Sequence, residues 1–244
     1  MNLRLPCTLS IFLLGLALTL SGPALASGPS APPEVITDAA TAANTTLDSA
    51  TREAAYRRLM APESTAAVLA RLKASDLDPQ QRWVLIRSLG PNPTDDARAA
   101  LVALAESKDA MVRAGVMEAL GDRGDKGLTG KVVRGLYDPA LLVHAAALDA
   151  LIQLKDPSAL ADLANALDDE KDFYRGTSFR QKIVRAEAAC GKDAARYLVK
   201  ALTDKDADVL ALARSSLEAI AGFSYREGRS PEQEAEAWRR WAER

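Results

Sequence analysis

The sequence predicts an all-α fold, an α-solenoid of about five helical hairpins with an extra N-terminal helix and a C-terminal capping helix. Two columns of apolar residues share one long period, and this is the first observation behind the prediction. Leu72, Leu104, Leu136, Leu167 and Leu202 follow one another at spacings of 32, 32, 31 and 35, while Leu89, Leu120, Leu151, Cys190 and Ile220 follow at 31, 31, 39 and 30. One helix pair per period of this length is the pattern of a repeat array in which neighbouring pairs bury each other's apolar faces. The second observation is composition. Hydrophobic residues make up 48% of the 244-residue chain but aromatics only 5%, and the balance is Ala and Leu, both strong helix formers.

The first segment stands apart from the array. Arg4 precedes an apolar run from Cys7 to Leu20, followed by Ser21-Gly22-Pro23 and an Ala24-Leu25-Ala26 site. This is the three-part layout of a secretory signal peptide, residues 1–26, with cleavage after Ala26. The run is shorter than the roughly 20 apolar residues that span a bilayer, so no stable membrane insertion is expected once the signal is cleaved. An exported protein, periplasmic or extracellular, follows. Cleavage removes Arg4 and no acid, moving the formal net charge from −2 to −3. Nucleic-acid binding is not expected, because acids are interspersed with the Lys and Arg residues and no concentrated basic face forms. Cys7 leaves with the signal and Cys190 remains alone, so an intramolecular disulfide is excluded.

Residues 27–46 are rich in Pro, Gly, Ser, Ala and Thr without a sustained apolar face, the composition of a flexible linker. The array is expected over residues 47–222, opened by a helix from Leu47 to Met60 that carries Ala54 and Leu59 on its apolar stripe. First helices of the hairpins carry Val68, Ala100, Val132, Leu163 and Leu198, then Leu69, Leu101, Val133, Ala164 and Val199. In the second helices a small residue precedes each anchor: Ser88, Ala119, Ala150, Ala189 and Ala219. Small side chains there let a neighbouring helix approach and ridges seat in grooves. Gly90, Gly121 and Gly191 are expected as left-handed helix caps, with Asp156-Pro157 stopping the middle repeat. Residues 223–244 form a turn and a last helix, with Ser230 as N-cap, Pro231 at its first position, and Ala235, Trp238 and Trp241 on one face. That helix reads as a cap over the exposed flank of the last hairpin; a docking helix is the other reading.

Asp109, Val112-Arg113 and Ala119-Leu120-Gly121 resemble the second helix of HEAT-like repeats, and the phycobilisome-lyase type of bacterial HEAT repeat is similar in length. The resemblance covers roughly Ala61 to Gly222. It implies a curved scaffold whose second helices line a concave, partner-binding face, and it suggests a bacterial source. Some members of the bilin-lyase branch attach chromophores, a role against which the export signal argues. Function does not follow from such a fold alone.

Candidate sites therefore come from individual residues. Asp78 with Arg82, and Asp109 with Arg113, lie four apart on one helical face, where the acid can cap the helix and pair with the base. Arg82, Arg113 and His144 in consecutive repeats could instead contact an acidic partner, although Ile183 in the fourth repeat interrupts that column. The period breaks at Asp168 to Ser178, and insertions in solenoids often serve binding. Phe173, Tyr174 and Phe179 bring aromatics beside Arg175, a composition suited to an interface anchor, or to covering the adjacent hairpin. Cys190 and His144 would be needed for any Cys–His nucleophile, but the register separates them by about 10 Å along the helix axis and by one helix spacing. No metal cluster, phosphate loop or cofactor motif is present, and no catalytic residue is assigned. The expected function is a non-enzymatic protein-binding scaffold or adaptor of the bacterial cell envelope. The alternative is a lyase or chaperone-like maturation factor on the same scaffold.

Overall fold

The computed structural model describes residues 32–169 and 176–244; the expected signal peptide and the start of the expected linker lie outside the described residues. Thirteen α-helices and no strand occur among them. An N-terminal pair, α1 (Pro33–Ala43) and α2 (Ser49–Met60), precedes five hairpins. These are α3 (Thr65–Leu72) with α4 (Pro79–Ser88), α5 (Asp95–Leu104) with α6 (Ala110–Arg123), and α7 (Thr129–Arg134) with α8 (Leu141–Leu154). The last two are α9 (Leu160–Asp168) with α10 (Thr177–Ala188), and α11 (Ala195–Ala201) with α12 (Ala207–Ala221). The chain closes with α13 (Pro231–Ala242). The all-α solenoid that the two columns predict is what the chain forms.

Helix starts follow from local chemistry. Asp48, Asp78, Thr94, Asp109 and Asp206 accept hydrogen bonds from backbone N–H groups in the first turns of α2, α4, α5, α6 and α12. Each satisfies donors that a helix start leaves unpaired. Ser230 and Gln233 form a reciprocal capping box on α13, with Pro231 preset for the first helical position. The caps also tie hairpins together. Thr65 meets Thr94 at 3.3 Å, Arg98 donates to Asp125 at 2.8 Å and Thr129 donates to Asp156 at 2.6 Å, each reaching from one first helix to the entry of the next.

The expected flexible linker over residues 27–46 is corrected by α1. Val35 and Ala39, four apart, are buried against the neighbouring helices, and Asp38 takes a bidentate ion pair from Arg58 of α2, with contacts of 2.6 to 3.1 Å. The Pro, Ala and Thr content hid this helix, because a short apolar pair suffices once α2 and α4 supply the rest of the surface. In place of one extra N-terminal helix the array begins with a packed pair.

Register is set by the caps and not by the last apolar residue of each helix. In the first helices Val68, Leu101, Val132, Leu163 and Leu198 are all fully buried, whereas the expected Ala100 is half-exposed. The slip arises because α5 starts directly at the Thr94 cap while α3, α7, α9 and α11 are entered through a 3₁₀ turn. In the second helices, the residues eleven positions after the N-caps Asp78, Asp109, Ala140, Gly176 and Asp206 are Leu89, Leu120, Leu151, Glu187 and Leu217. None of these five is more than 2% exposed. The expected anchors Cys190 and Ile220 are half-buried. The true column therefore contains one carboxylic acid.

Second helices approach one another at their backbones. A Cβ on Gly90 would lie 2.6 Å from the Ala119 carbonyl oxygen, and one on Gly121 would lie 2.8 Å from the Ala150 Cα. These glycines permit contact and are not caps, which corrects the expectation for Gly90 and Gly121. The left-handed positions among the described residues are Gly124, Lys155, Gly191, Gly222 and Gly228. Successive second helices thus pack backbone against backbone, and they form the closely packed, inner layer of the stack.

Candidate interaction surface

Five residues stand four positions after the second-helix N-caps: Arg82, Arg113, His144, Arg180 and Leu210. Most of this column is committed to holding hairpins together. Arg113 donates through Nε and Nη2 to Asp138 at 2.7 and 2.8 Å, and through Nη1 to the carbonyls of Ser107 and Lys108 at 2.8 and 3.1 Å. It thus clamps its own turn to the turn of the next hairpin. The guanidinium holds the Asp138 carboxyl below the usual carboxylate range. His144 is 1% exposed, and its Nε2 meets the Asp138 carbonyl, the counterpart of the Arg113–Ser107 contact. Arg180 repeats the arrangement, donating to the Leu167 carbonyl at 2.9 Å and pairing with Asp204.

Arg180 is the residue that the sequence alignment missed. Counting back from Cys190 placed the fully buried Ile183 in the column, whereas counting forward from the Gly176 cap selects Arg180. Arg82 is half-buried, and its backbone N–H donates to the Asp78 carbonyl at 2.8 Å. Of the insertion, Phe173, Tyr174 and Arg175 lie outside the described residues, and Phe179 packs half-buried against the hydrophobic core. The structure therefore brings Arg113 and His144 together on the Asp138 turn, and it packs Phe179 onto the hydrophobic core.

A second polar row crosses the inner layer: Arg87, Glu118 and Asp149 stand nine positions after their caps, with Asp122 and Lys182 beside them. Arg87 of α4 pairs with Glu118 and Asp122 of α6, its Nε lying 3.0 Å from Asp122. Lys182 of α10 reaches back to Asp149 of α8 at 2.6 Å. Tyr56 of α2 adjoins Arg87, and burial pushes its phenol up to about 12. Burial also raises the Glu118 carboxyl, with Arg87 opposing and the nearby Asp122 and Asp149 adding to the rise. Arg87, Glu118, Asp122, Lys182 and Asp149 remain between 22% and 49% exposed. They are ordered enough to present a fixed pattern and open enough to exchange partners. In sequence the signal is Arg87, Glu118 and Asp149 at a spacing of 31, a polar column inside helices read for their apolar one.

Nucleophilic chemistry is poorly served. Burial, with Asp156 adding to it, pushes the Cys190 thiol up to about 11, and Sγ lies 3.6 Å from the Ala186 carbonyl. Such a thiol is protonated at neutral pH, and the thiolate is the reactive form. No cluster of His, Cys, Asp and Glu able to hold a metal occurs among the described residues. No helix among them is long and apolar enough to cross a membrane.

The family of HEAT repeats matches residues 65–129, from the start of α3 to the first residue of α7. Over those residues the chain is similar to HEAT repeats. No curated protein sequence matches the chain at a significant level. Solved structures similar to this chain include an engineered protein, 21% identical, covering 78% of this chain and 98% of its own, with a TM-score of 0.42. Another is the complex of CpcE and CpcF of phycocyanin lyase from Nostoc, 18% identical, covering 83% and 82%, with a TM-score of 0.44. A third is human deoxyhypusine hydroxylase, 17% identical, covering 86% and 96%, with a TM-score of 0.33.

The end of the helical array is closed by α13. Trp238 is fully buried and stacks on Phe223 with centroids 5.6 Å apart and planes 10° from parallel, while Tyr225 and Trp241 meet it edge-on at 4.8 and 5.4 Å. Arg214 of α12 pairs with Glu234 of α13 at 2.8 Å. Arg239 and Arg240 face outward. An apolar inner side and a charged outer side are what a terminal cap requires.

Proposed function

We propose that this protein is a non-enzymatic scaffold that binds another protein across the inner, second-helix face of its array, and that it works in the bacterial cell envelope after export. The observation that carries the reading is the polar row Arg87, Glu118, Asp122, Asp149 and Lys182, which spans four consecutive hairpins on the closely spaced layer while staying partly open to solvent. Ordered, partly desolvated charges give specificity and orient a partner more than they add raw affinity. Export rests on the layout of residues 1–26. The protonated Cys190 thiol and the buried His144 lend no support to a lyase mechanism.

The test is proximity labelling and pull-down from the native envelope with paired variants. Reversing charge at Glu118 and Asp149 is expected to release the partner, whereas reversing the outer-layer Arg134 and Asp162 is expected to retain it. Release by the outer pair alone would place binding on the other face and overturn the proposal. For export, mature protein beginning at Ser27 in the envelope fraction is the expected result, and full-length protein in the cytoplasm would contradict it.

A further inference from the structure

Four of the five anchors in the second-helix column are leucines, and the fourth position holds Glu187. Its side chain is 0% exposed, and neither carboxyl oxygen has a hydrogen-bond partner among the described residues. α10 packs there between α8 and α12, with α9 and α11 alongside. A carboxylate in such a place loses its hydration without compensation, whereas the neutral acid costs far less. The position is therefore tolerable in one protonation state and not in the other.

Charged neighbours leave the balance on the neutral side. Asp168 at the end of α9 opposes ionisation, and Lys200 of α11 favours it, but Lys200 is itself paired with Asp168 and more than half exposed. Just beyond the end of its helix, Cys190 interacts with Glu187, both with raised values. No charged group of α8 or α12 acts on it among the described residues. Burial, the dominant cause, lifts the carboxyl to about 8.

We propose that Glu187 makes the joint between the fourth and fifth hairpins a pH-sensitive hinge, closed while the carboxyl is protonated and loosened as it ionises. When the joint opens, the carboxylate gains water and access to Lys200, and α11, α12 and α13 separate as a unit from α9 and α10. The direction follows from linkage. The closed state binds the proton more tightly than the open one, where the carboxyl returns toward 4.5, so closure weakens as pH rises from about 4.5 to about 8 and levels off above.

Hydrogen exchange of the full chain between pH 5 and 9, corrected for intrinsic exchange, tests this. In the native protein, protection over residues 195–242 is expected to fall by up to tenfold per pH unit below about 8, one proton per opening, while protection over residues 79–123 stays level. Glu187→Gln and Glu187→Leu are each expected to abolish that slope, and the leucine variant restores the column residue. Parallel protection in both segments of the native protein would overturn the proposal. A slope that persists in Glu187→Gln would do the same, by assigning the proton to another group.

Discussion

Arg113 grips Asp138 through two parallel hydrogen bonds of 2.7 and 2.8 Å across the joint between the second and third hairpins, with the two side chains only 15% and 11% exposed. A bidentate pair of this kind fixes orientation as well as distance. Removing one partner leaves the other shielded and uncompensated. Asp138→Ala is expected to cost about 3 kcal/mol, read as a lowered denaturation midpoint. Because the folded-state carboxyl titrates below its ordinary value, the pair's contribution is present above about pH 4 and is lost as pH falls through the folded value. An Asp138→Asn variant should lose less stability on acidification than the native chain.

Gly121 and Gly130 make a matched pair of substitutions. A methyl at Gly121 meets the Ala150 Cα at 2.8 Å, a backbone atom that can move only if two second helices separate, whereas nothing lies within 4 Å of a methyl at Gly130. Gly121→Ala is expected to destabilise by about 1–3 kcal/mol through overpacking. Gly130→Ala, inside α7, is expected to stabilise by about 0.5–1 kcal/mol through helix propensity. Thermal midpoints moving in the same direction would refute the inner-layer contact.

The cap should behave as part of the fold. Trp238→Ala removes a fully buried ring from a cluster of four aromatics, at an expected cost of about 3–5 kcal/mol. Truncation after Gly222 is expected to lower solubility and the melting midpoint. A truncated chain that stayed soluble with an unchanged midpoint would instead favour a docking role for α13.

Cys190 should be slow to modify. With its thiol at about 11, the thiolate fraction at pH 8 is roughly a hundredfold smaller than for a thiol near its ordinary value. Labelling of the folded chain with a thiol reagent is expected to be slower by at least that factor than labelling of the unfolded chain. Rapid labelling at pH 8 would reopen nucleophilic chemistry at this position.

Much of the fold could be read in the residues themselves. Repeated leucines, small residues before them and acidic caps specify helices, their pairing and their stacking, because those are local preferences renewed every repeat. Less of the interaction surface could be read. Arg113 and His144 stood out as a column, yet their partners, the Asp138 carboxylate and carbonyl, belong to a turn whose position depends on how hairpins dock. Arg180 was hidden because the insertion shifts any count made from the helix end. The row through Arg87, Glu118 and Asp149 was present in the sequence as a period, but nothing in the period tells which side of a helix faces the inner layer.

By itself the sequence determined the solenoid, since a period of one helix pair, written in leucine and alanine, leaves no other way to bury its apolar faces. Only the tertiary structure decided the N-terminal pair, the one-residue slip in α5, the contact role of Gly90 and Gly121, and the place of Glu187. The reason is the same in each case. Burial at these positions is conferred by residues on other helices, and a chain's own periodicity carries no record of the surface that a neighbour brings to it.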